Sequence, residues 1–408
     1  MRAYRTILHN RAYMLFWLGM LISSFGDSFT TFGLAWYVLR RTNSPLSVGL
    51  TFLIYQLPSL FSGLFAGWLL DRFRREAVMT VDNVLRGLLV IIIPFLDAHH
   101  LLSFPILYSD IALLGALSVF TDVGSRAILP ELVPTSEYNT ANSFDVMQRQ
   151  ISFILGPSLA GILVVVLGPL NLLWIDSGSF FVFAVCLILL SFFLRSVSTG
   201  KPKQEKHSDN IWRELLEGVC FTLHTPLLLA LTSISFFWNF GLGLFAVALP
   251  FYCERALRVG PAGMGVLLSV NSIGVLLSAI IFGPLRPRHP GRIACILLIV
   301  QAICYGLLAL IPPFAVALVI YFILGACDDI GAIYLTTVRQ RVVPEKVQGR
   351  VWAFTGIIGS SGEPLGNGIA GLLAFAFGAT LLVAASGVPL LLIGILWLVI
   401  GPVRHVRD

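Results

Sequence analysis

Several carboxylates of this sequence stand inside long apolar stretches, where an ionised group is stable only if it is paired or faces water. An ionised side chain at the centre of a membrane helix costs at least about 2.5 kcal/mol. Such a carboxylate can instead take up a proton, and release it when its access to water changes. We therefore regard these residues as candidates for proton coupling, and the alternative for each is a carboxylate permanently bonded to a helix terminus or an arginine. The candidates are Asp27, Glu363, Asp328, Asp329 and Asp110.

Asp27 ranks first among them because its own stretch offers no cation within one or two helical turns. Asp82 is followed by Arg86, and Asp145 by Arg149, at a spacing of four residues. Residues spaced in this way share one face of a helix and can neutralise each other. We predict structural ion pairs for these two, and the main proton-coupling role for Asp27.

Two aromatic side chains near the centres of apolar stretches are candidates for substrate contact. Tyr55 and Trp238 could line a cavity for an amphipathic ligand. The alternative is an interfacial position, since Trp and Tyr also collect where a membrane meets water.

The elements that carry these residues are long and apolar. Hydrophobic residues make up 57% of the 408 and charged residues 12%, whereas a soluble domain carries about 25% charged residues. A stretch of about 20 apolar residues crosses the bilayer core as a helix. We predict membrane helices over residues 13–38, 46–70, 77–97, 103–124, 140–167, 171–194, 226–252, 262–285, 293–311, 314–337, 350–376 and 379–401.

The distribution of positive charge predicts the orientation. The connections that lead from an odd-numbered helix to the next even-numbered one (1 to 2, 3 to 4 and so on) hold only Arg40, Arg41, Arg255 and Arg258. The connections from even to odd helices, together with the termini, hold 21 of the 27 lysines and arginines. Cytoplasmic loops retain positive charge, so we expect both termini in the cytoplasm. The net charge of +6 follows from this topology, and no nucleic-acid partner is predicted.

The chain divides into two similar halves. The longest polar stretch, residues 195–212, predicts a cytoplasmic linker between domains 1–194 and 213–408. Val133-Pro134 recurs as Val343-Pro344, and Gly156 as Gly366, each 210 residues later. Matches at a constant offset indicate parallel repeats.

The turn after the second apolar stretch carries the most specific motif. Residues 67–75 read GWLLDRFRR, which resembles the G-x-x-x-D-R-x-x-R signature between helices 2 and 3 of the major facilitator superfamily. The resemblance implies a cytoplasmic gate with an acidic partner at the inner end of helix 4. The residues so assigned are Gly67, Asp71, Arg72, Arg75 and, as the partner, Asp122.

The spacing of glycines supports this assignment. Gly67 follows Gly63 by four residues, and small residues at that spacing let helices approach closely. The alternative for the whole turn is an ordinary basic loop on the cytoplasmic side.

Helix 5 contains a second motif. Residues 155–161 read LGPSLAG and resemble the G-P-x-x-G-G motif of the superfamily's antiporter branches, with Ala160 in place of one glycine. The resemblance implies export by antiport. Gly156, Pro157 and Gly161 should bend the helix and allow tight packing where the two halves meet, although a generic packing role is the alternative.

Three further segments resemble the bacterial branch that contains macrolide and siderophore exporters. They are SSFGD at 23–27, LPELVP at 129–134 and ELLEG at 214–218. The resemblance implies an all-α membrane protein with twelve transmembrane helices in two pseudo-symmetric six-helix bundles, the major facilitator fold.

Patterns of enzymes and metal proteins are missing from the sequence. G-x-x-x-x-G-K-[ST], H-E-x-x-H and G-x-S-x-G do not occur, nor does C-x-x-C among the six cysteines. We predict no enzymatic activity, no cofactor, no metal and free thiols.

The expected function is proton-coupled export of a hydrophobic or amphipathic small molecule by alternating access. The protein would act as a monomer in a bacterial cell membrane, with the substrate, protons and membrane lipids as its partners. The alternatives are a proton-coupled importer of a small metabolite and a lipid or lysolipid flippase. A membrane-bound sensor or scramblase is a further alternative, which would need no proton-binding carboxylate.

Overall fold

The computed structural model describes residues 2–197, 219–282, 285 and 287–400. Within these residues no strand occurs, and twelve helices have 20 residues or more. They are α1 (Arg11–Thr42), α2 (Pro45–Arg72), α3 (Arg75–Ala98), α4 (Phe104–Leu132), α5 (Tyr138–Leu167), α6 (Asn171–Val197), α7 (Pro226–Phe251), α8 (Gly260–Phe282), α9 (Pro290–Ala309), α10 (Phe314–Val342), α11 (Glu345–Phe377) and α12 (Ala379–Ile400).

Ten of these helices are long and apolar enough to span a membrane. The two outside that set, α1 and α11, are the helices that hold Asp27 and Glu363. A short helix, Arg2–His9, precedes α1. The all-α class and the twelve long helices predicted from hydropathy are confirmed.

The turns that follow α4 and α10 share one backbone conformation, as do the ends of α5 and α11. Val133 and Val343 leave their helices in an extended conformation and are followed by prolines. Gly168 and Gly378, which end α5 and α11, have φ of 89° and 82°, a region that glycine adopts without steric cost. All these positions differ by 210, so the internal repeat read from the sequence extends to the backbone.

The contacts of the chain divide it into two compact units. The first comprises Met1–Arg41 and Ile54–Lys203, and the second comprises Thr42–Leu53 and Gln204–Asp408. The start of α2 groups with the second unit, where a Cβ on Gly49 would lie 3.2 Å from the backbone nitrogen of Gly371. This grouping differs from the predicted boundary at one element. Most of the predicted linker 195–212 and the segment 214–218 lie outside the described residues.

In the first unit, aromatic side chains join α1 to α5. The rings of Tyr13 and Trp17 meet the Phe144 ring edge-on, with centroids 6.4 and 5.9 Å apart. The Tyr13 hydroxyl donates to the carbonyl oxygen of Ala141 at 2.9 Å. The helix α3 packs along α6, where the Ser177 hydroxyl donates to the Gly87 carbonyl oxygen at 2.8 Å.

In the second unit, glycines bring α7 and α11 into backbone contact. A Cβ on Gly362 or Gly366 would lie less than 3.0 Å from the carbonyl oxygens of Phe236 and Phe240. Small residues let helix backbones approach in this way. The close approach fixes the position of Glu363, which lies between the two glycines.

Candidate functional site

An ion pair between Asp27 of α1 and Arg86 of α3 is the centre of the first unit's polar site. Arg86 donates from Nη2 to Asp27 Oδ1. The Arg86 side chain is only 4% exposed, whereas that of Asp27 is 40% exposed. The guanidinium also lies over the ring of Phe180 on α6, with Cζ 4.2 Å from the ring centroid. A cation held in this way is fixed, and its carboxylate partner remains accessible.

This pairing bears on two sequence predictions. Asp27 was expected to have no cation on its own helix, with a bond to an arginine as the alternative, and Arg86 was expected to pair with Asp82; α3 supplies Asp27 with that arginine. The i, i+4 spacing does place Asp82 one turn from Arg86, but the Arg86 guanidinium reaches across to α1 instead. Spacing along one helix cannot show a partner that another helix supplies.

Asp82 is instead held by α4. Its Oδ2 accepts a hydrogen bond of 2.6 Å from the Thr121 hydroxyl, which itself accepts from Asn83 Nδ2 at 2.9 Å. Asp82 is 3% exposed. Its other oxygen, Oδ1, has no hydrogen-bond partner among the described residues.

Asp176 of α6 is a functional candidate that the sequence reading did not single out. It is fully buried, and its Oδ1 accepts from Ser179 at 3.0 Å. Asp27 and Arg86 both act on it electrostatically. Asp176 and Ser179 lie so close to α1 that a Cβ on Gly26 would come within 3.0 Å of both. The signal was present in the sequence: a glycine directly before Asp27, and an acid in the first turns of an apolar helix.

The polar contacts of α5 are made with α1 of the same unit. Gln148 donates to Ser24 at 2.7 Å, and a Cβ on Gly156 would lie 2.7 Å from the Ser28 hydroxyl. Gly156 was expected where the two halves meet, but the close approach that the structure shows is with α1. The helix runs without interruption through Pro157 to Leu167, and Gly161 is buried.

Asp145 of α5 is a further correction. It accepts a hydrogen bond of 3.0 Å from the Tyr13 hydroxyl, whereas an ion pair with Arg149 was predicted. Among the described residues Arg149 forms no ion pair and is exposed.

The turn between α2 and α3 is tied to α4 through Arg75. Its Nη1 donates to the carbonyl oxygen of Ala127 and to Glu131 Oε1, the latter at 3.0 Å. Asp122 was the predicted acidic partner, but it lies two turns deeper than Glu131. There it is within electrostatic range of Asp27 and Arg86.

The other residues of this turn are exposed. Asp71 and Arg72 lie at the surface, with the Arg72 guanidinium 5.6 Å from the Trp68 ring centroid. A Cβ on Gly67 would meet no described atom within 4 Å. Among the described residues, no close helix neighbour is therefore seen at Gly67.

Two further candidates complete the first unit. Asp110 of α4 is buried, and its Oδ2 has no hydrogen-bond partner within the described part of the chain. Tyr55 of α2 is half-buried and within electrostatic range of Arg86. The Tyr55 backbone contacts α4, since a Cβ on Gly115 would overlap the Tyr55 carbonyl oxygen.

In the second unit, Asp328 and Asp329 accept hydrogen bonds from neutral donors. Trp238 Nε1 of α7 donates to Asp328 at 3.1 Å, and Ser278 of α8 donates to Asp329 at 2.9 Å. Both acids lie on α10, so the helix presents neighbouring carboxylates to two different helices. Trp238 was expected as a cavity residue, and its bond to Asp328 makes it part of the polar site.

Glu363 of α11 is half-buried. Its carbonyl oxygen lies against α7, where a Cβ on Gly243 would overlap it. Arg339, which the charge pattern assigned to a cytoplasmic end, lies partly inside the unit: it donates to Ser235 at 3.1 Å and covers the Trp352 ring at 5.4 Å.

No group of three or more His, Cys, Asp or Glu side chains that could hold a metal ion occurs in the described ranges. All six cysteines are free thiols. The buried and partly buried carboxylates, the Asp27–Arg86 ion pair and the neutral donors described above can bind, exchange and release protons and polar or cationic groups.

Comparison with known proteins assigns most of the chain to one family. The family model described as Major Facilitator Superfamily matches residues 16–367 and 229–408. The multidrug efflux pump Tap of Mycolicibacterium fortuitum is 28% identical over 401 residues, which cover 94% of each chain. The protein of the same name from Mycobacterium tuberculosis (strain ATCC 25618 / H37Rv) is 24% identical over 386 residues, or 92% of this chain and 90% of the relative.

Solved structures are similar in fold. A POT family transporter in complex with a thioalcohol-conjugated peptide has a TM-score of 0.75 at 14% identity, with 97% of each chain covered. A bacterial homologue of the iron transporter ferroportin in an inward-facing state has a TM-score of 0.69 at 18% identity, with 95% of this chain and 99% of that chain covered. At such identities these structures show the fold alone.

Proposed function

The chain belongs to the major facilitator superfamily, and on that premise we propose that this multi-pass membrane transporter exports hydrophobic or amphipathic small molecules in exchange for protons. It is a transport protein and not an enzyme. The direction and the substrate class are supported by relatives named multidrug efflux pumps, which align over nearly the full length of both chains.

The observation that carries the proton coupling is the arrangement around Arg86. One guanidinium lies within electrostatic range of Asp27, Asp82 and Asp176. A single cation cannot compensate three ionised carboxylates when two of them, Asp82 and Asp176, are buried, because an uncompensated buried charge is costly. The cluster therefore holds protons, and the number it holds depends on its contact with water and substrate.

Within this cluster, Asp27 is the member that exchanges protons with the surrounding water. Its side chain is 40% exposed while that of Arg86 is 4% exposed. When a proton neutralises Asp27, the ion pair is lost and the buried guanidinium has to be compensated by Asp82 or Asp176. When a substrate displaces that proton, the pair with Arg86 forms again.

Competition between a proton and the substrate at Asp27 leads to the exchange of one for the other if the cluster faces one side of the membrane at a time. We expect alternating access by movement of two six-helix bundles, residues 1–194 and 213–408, joined by the linker 195–212. Asp328, Asp329, Glu363 and Asp110 rank behind Asp27 as proton-coupling groups. Glu363 comes second because it too lies near the middle of its helix.

The remaining assignments are part of the same proposal. The turn with Gly67, Asp71, Arg72 and Arg75 gates the cytoplasmic side, where both termini also lie. Gly156, Pro157 and Gly161 form the antiporter-like motif of α5, and Gly156 keeps that helix close to α1. The protein works as a monomer in a bacterial plasma membrane.

The test uses purified protein in proteoliposomes and two lipophilic dyes, ethidium and rhodamine 6G. With an imposed pH gradient, the wild-type protein should concentrate dye on the side that supplies protons. Asp27→Asn should abolish this uphill transport and retain dye exchange at equal pH, because only the proton-dependent step needs the carboxylate. Glu363→Gln, as a matched loss of a mid-helix carboxylate, should have the weaker effect.

The alternatives give different results in the same vesicles. Dye and protons moving in the same direction would indicate an importer. Movement of labelled lipid without any proton flux would indicate a flippase. A sodium gradient that drives transport after the pH gradient is collapsed with nigericin would replace protons as the coupling ion. Uphill transport at the normal rate by Asp27→Asn would overturn the assignment of Asp27.

A further inference from the structure

A groove on the surface of the first unit runs between α2, α3 and α4, and we call it the α2–α4 groove. Its volume is about 340 Å³, and its walls include Leu69, Phe73, Val81, Leu85 and Phe120. Val81, Leu85 and Phe73 are 58, 43 and 55% exposed. Side chains as apolar as these are suited to hydrocarbon, so this surface faces lipid when the helices span a membrane.

The groove's lining contains a single ionisable side chain among the described residues, Asp82. Thr121 donates to one oxygen of this carboxylate, and the other oxygen is buried without a partner in the part of the chain that the structure describes. Arg86, one turn further along α3, is bonded to Asp27. A buried polar atom without a partner is costly and uncommon in folded proteins, which points to a ligand that supplies a hydrogen-bond donor.

We propose that the α2–α4 groove binds a lipophilic amine that enters from the membrane. The apolar body of the amine lies along the walls, and its protonated nitrogen donates to Asp82 Oδ1. The volume lies at the lower end of the range for small-molecule sites, about 300–1,000 Å³. The charges are complementary, since a carboxylate and an ammonium neutralise each other in surroundings that tolerate neither alone.

A phospholipid does not fit this groove. The ammonium of an ethanolamine headgroup is attached to a phosphate, and among the described residues no basic side chain lines the groove to receive that phosphate. Asp82 also lies two turns from Arg75, the first residue of α3, which corresponds to roughly 10 Å along the helix. That depth places the carboxylate among acyl chains and below the headgroups.

The proposal does not depend on transport. It concerns a site within one unit, and the Asp27 exchange described above could fail while the groove still binds amines. For this reason the test measures binding alone.

The test is equilibrium binding of N,N-dimethyldodecylamine to the full-length protein in phosphatidylcholine nanodiscs at pH 7, corrected with empty nanodiscs. The wild-type protein should bind the amine saturably, and dodecyl methyl ether, which has neither charge nor N–H, should not bind saturably. Asp82→Asn should weaken amine binding roughly ten- to hundredfold, the range for a hydrogen bond to a charged group. Ala77→Phe should weaken it similarly by filling the groove from an exposed position.

Two control variants are matched to these. Asp110→Asn removes another buried carboxylate with an unpartnered oxygen, but outside the groove. Val185→Phe adds a ring at an exposed position of α6. Both should bind the amine as the wild type does.

Three results would overturn the proposal. The ether could bind as tightly as the amine, or Asp82→Asn and Ala77→Phe could both leave amine binding unchanged. Replacing phosphatidylcholine by phosphatidylethanolamine could also abolish amine binding, which would make the phospholipid the occupant. If Asp82→Asn does not fold, Ala77→Phe and the ether comparison decide the question by themselves.

Discussion

Replacing Gly366 of α11 by alanine should destabilise the second unit, although alanine is the better helix former. The added Cβ would lie less than 3.0 Å from the Phe240 carbonyl oxygen and 3.1 Å from the Leu244 nitrogen. Ordinary contact begins at 3.4 Å, so the backbones of α7 and α11 have to separate by at least 0.4 Å. These are backbone atoms, which cannot move aside as the end of a side chain can.

Whether Gly366→Ala destabilises the protein depends on two opposing free-energy changes. Overpacking a close contact costs about 1–3 kcal/mol, whereas exchanging glycine for alanine inside a helix gains about 1 kcal/mol. We expect a net loss of up to about 2 kcal/mol. Gly362→Ala should behave in the same way, because it meets the Phe236 carbonyl oxygen. The double variant should cost less than the sum, since one separation of the helices relieves both contacts.

The assay is thermal unfolding of purified protein, followed with a thiol-reactive fluorophore. All four buried cysteines lie in the second unit, so their exposure reports on that unit: Cys253, Cys295, Cys304 and Cys327. The midpoint should fall by a few degrees, since 1 kcal/mol corresponds to roughly 2–4 °C in a domain of 150–250 residues.

Gly356→Ala is the matched control on the same helix, because a Cβ there meets no described atom within 4 Å. It should leave the midpoint unchanged or raise it. A midpoint for Gly366→Ala equal to or above that of Gly356→Ala would refute the backbone contact as the cause.

Three further predictions concern single contacts. Glu131→Gln removes the ion pair with Arg75, but with side chains 41 and 23% exposed the loss should stay below about 1 kcal/mol; a larger fall in the melting midpoint would contradict a surface pair. Asp71→Asn should slow dye transport at unchanged expression and melting midpoint, and normal transport would remove Asp71 from the gate. Trp238→Phe deprives Asp328 of its indole donor at 3.1 Å, so the melting midpoint should fall by roughly 2–4 °C, as expected for the loss of a hydrogen bond worth about 1 kcal/mol. An unchanged midpoint would contradict the role of this bond.

Hydropathy predicted the helices because each span must bury its backbone polar groups over the same thickness of bilayer. The predicted ends were less accurate, since helical geometry continues beyond the apolar residues. α1 was expected over 13–38 and runs from Arg11 to Thr42. The repeat was also readable, since Gly168 and Gly378 end corresponding helices with positive φ.

Partners of the charged side chains could not be read from the sequence. The i, i+4 rule considers one helix, and it assigned Arg86 to Asp82 although the acid of α1 is the one that it binds. Arg75 pairs with Glu131 and not with Asp122. The sequence did not show this because the inner end of α4 extends beyond the apolar stretch that marked its predicted end. Gly156 was recognised as a packing residue, but only the fold shows that α1 is its neighbour.

Substrate-induced proton release by the purified protein is the sharpest test of whether substrate and proton compete at Asp27. The measurement is made in weakly buffered detergent solution with a pH-sensitive dye while ethidium is added. If a substrate displaces a proton from Asp27 and restores its ion pair with Arg86, the wild-type protein should release protons in proportion to the ethidium bound. Asp27→Asn should bind ethidium and release none. Ethidium binding by the wild-type protein without proton release, or equal release by Asp27→Asn, would show that substrate and proton do not compete at Asp27.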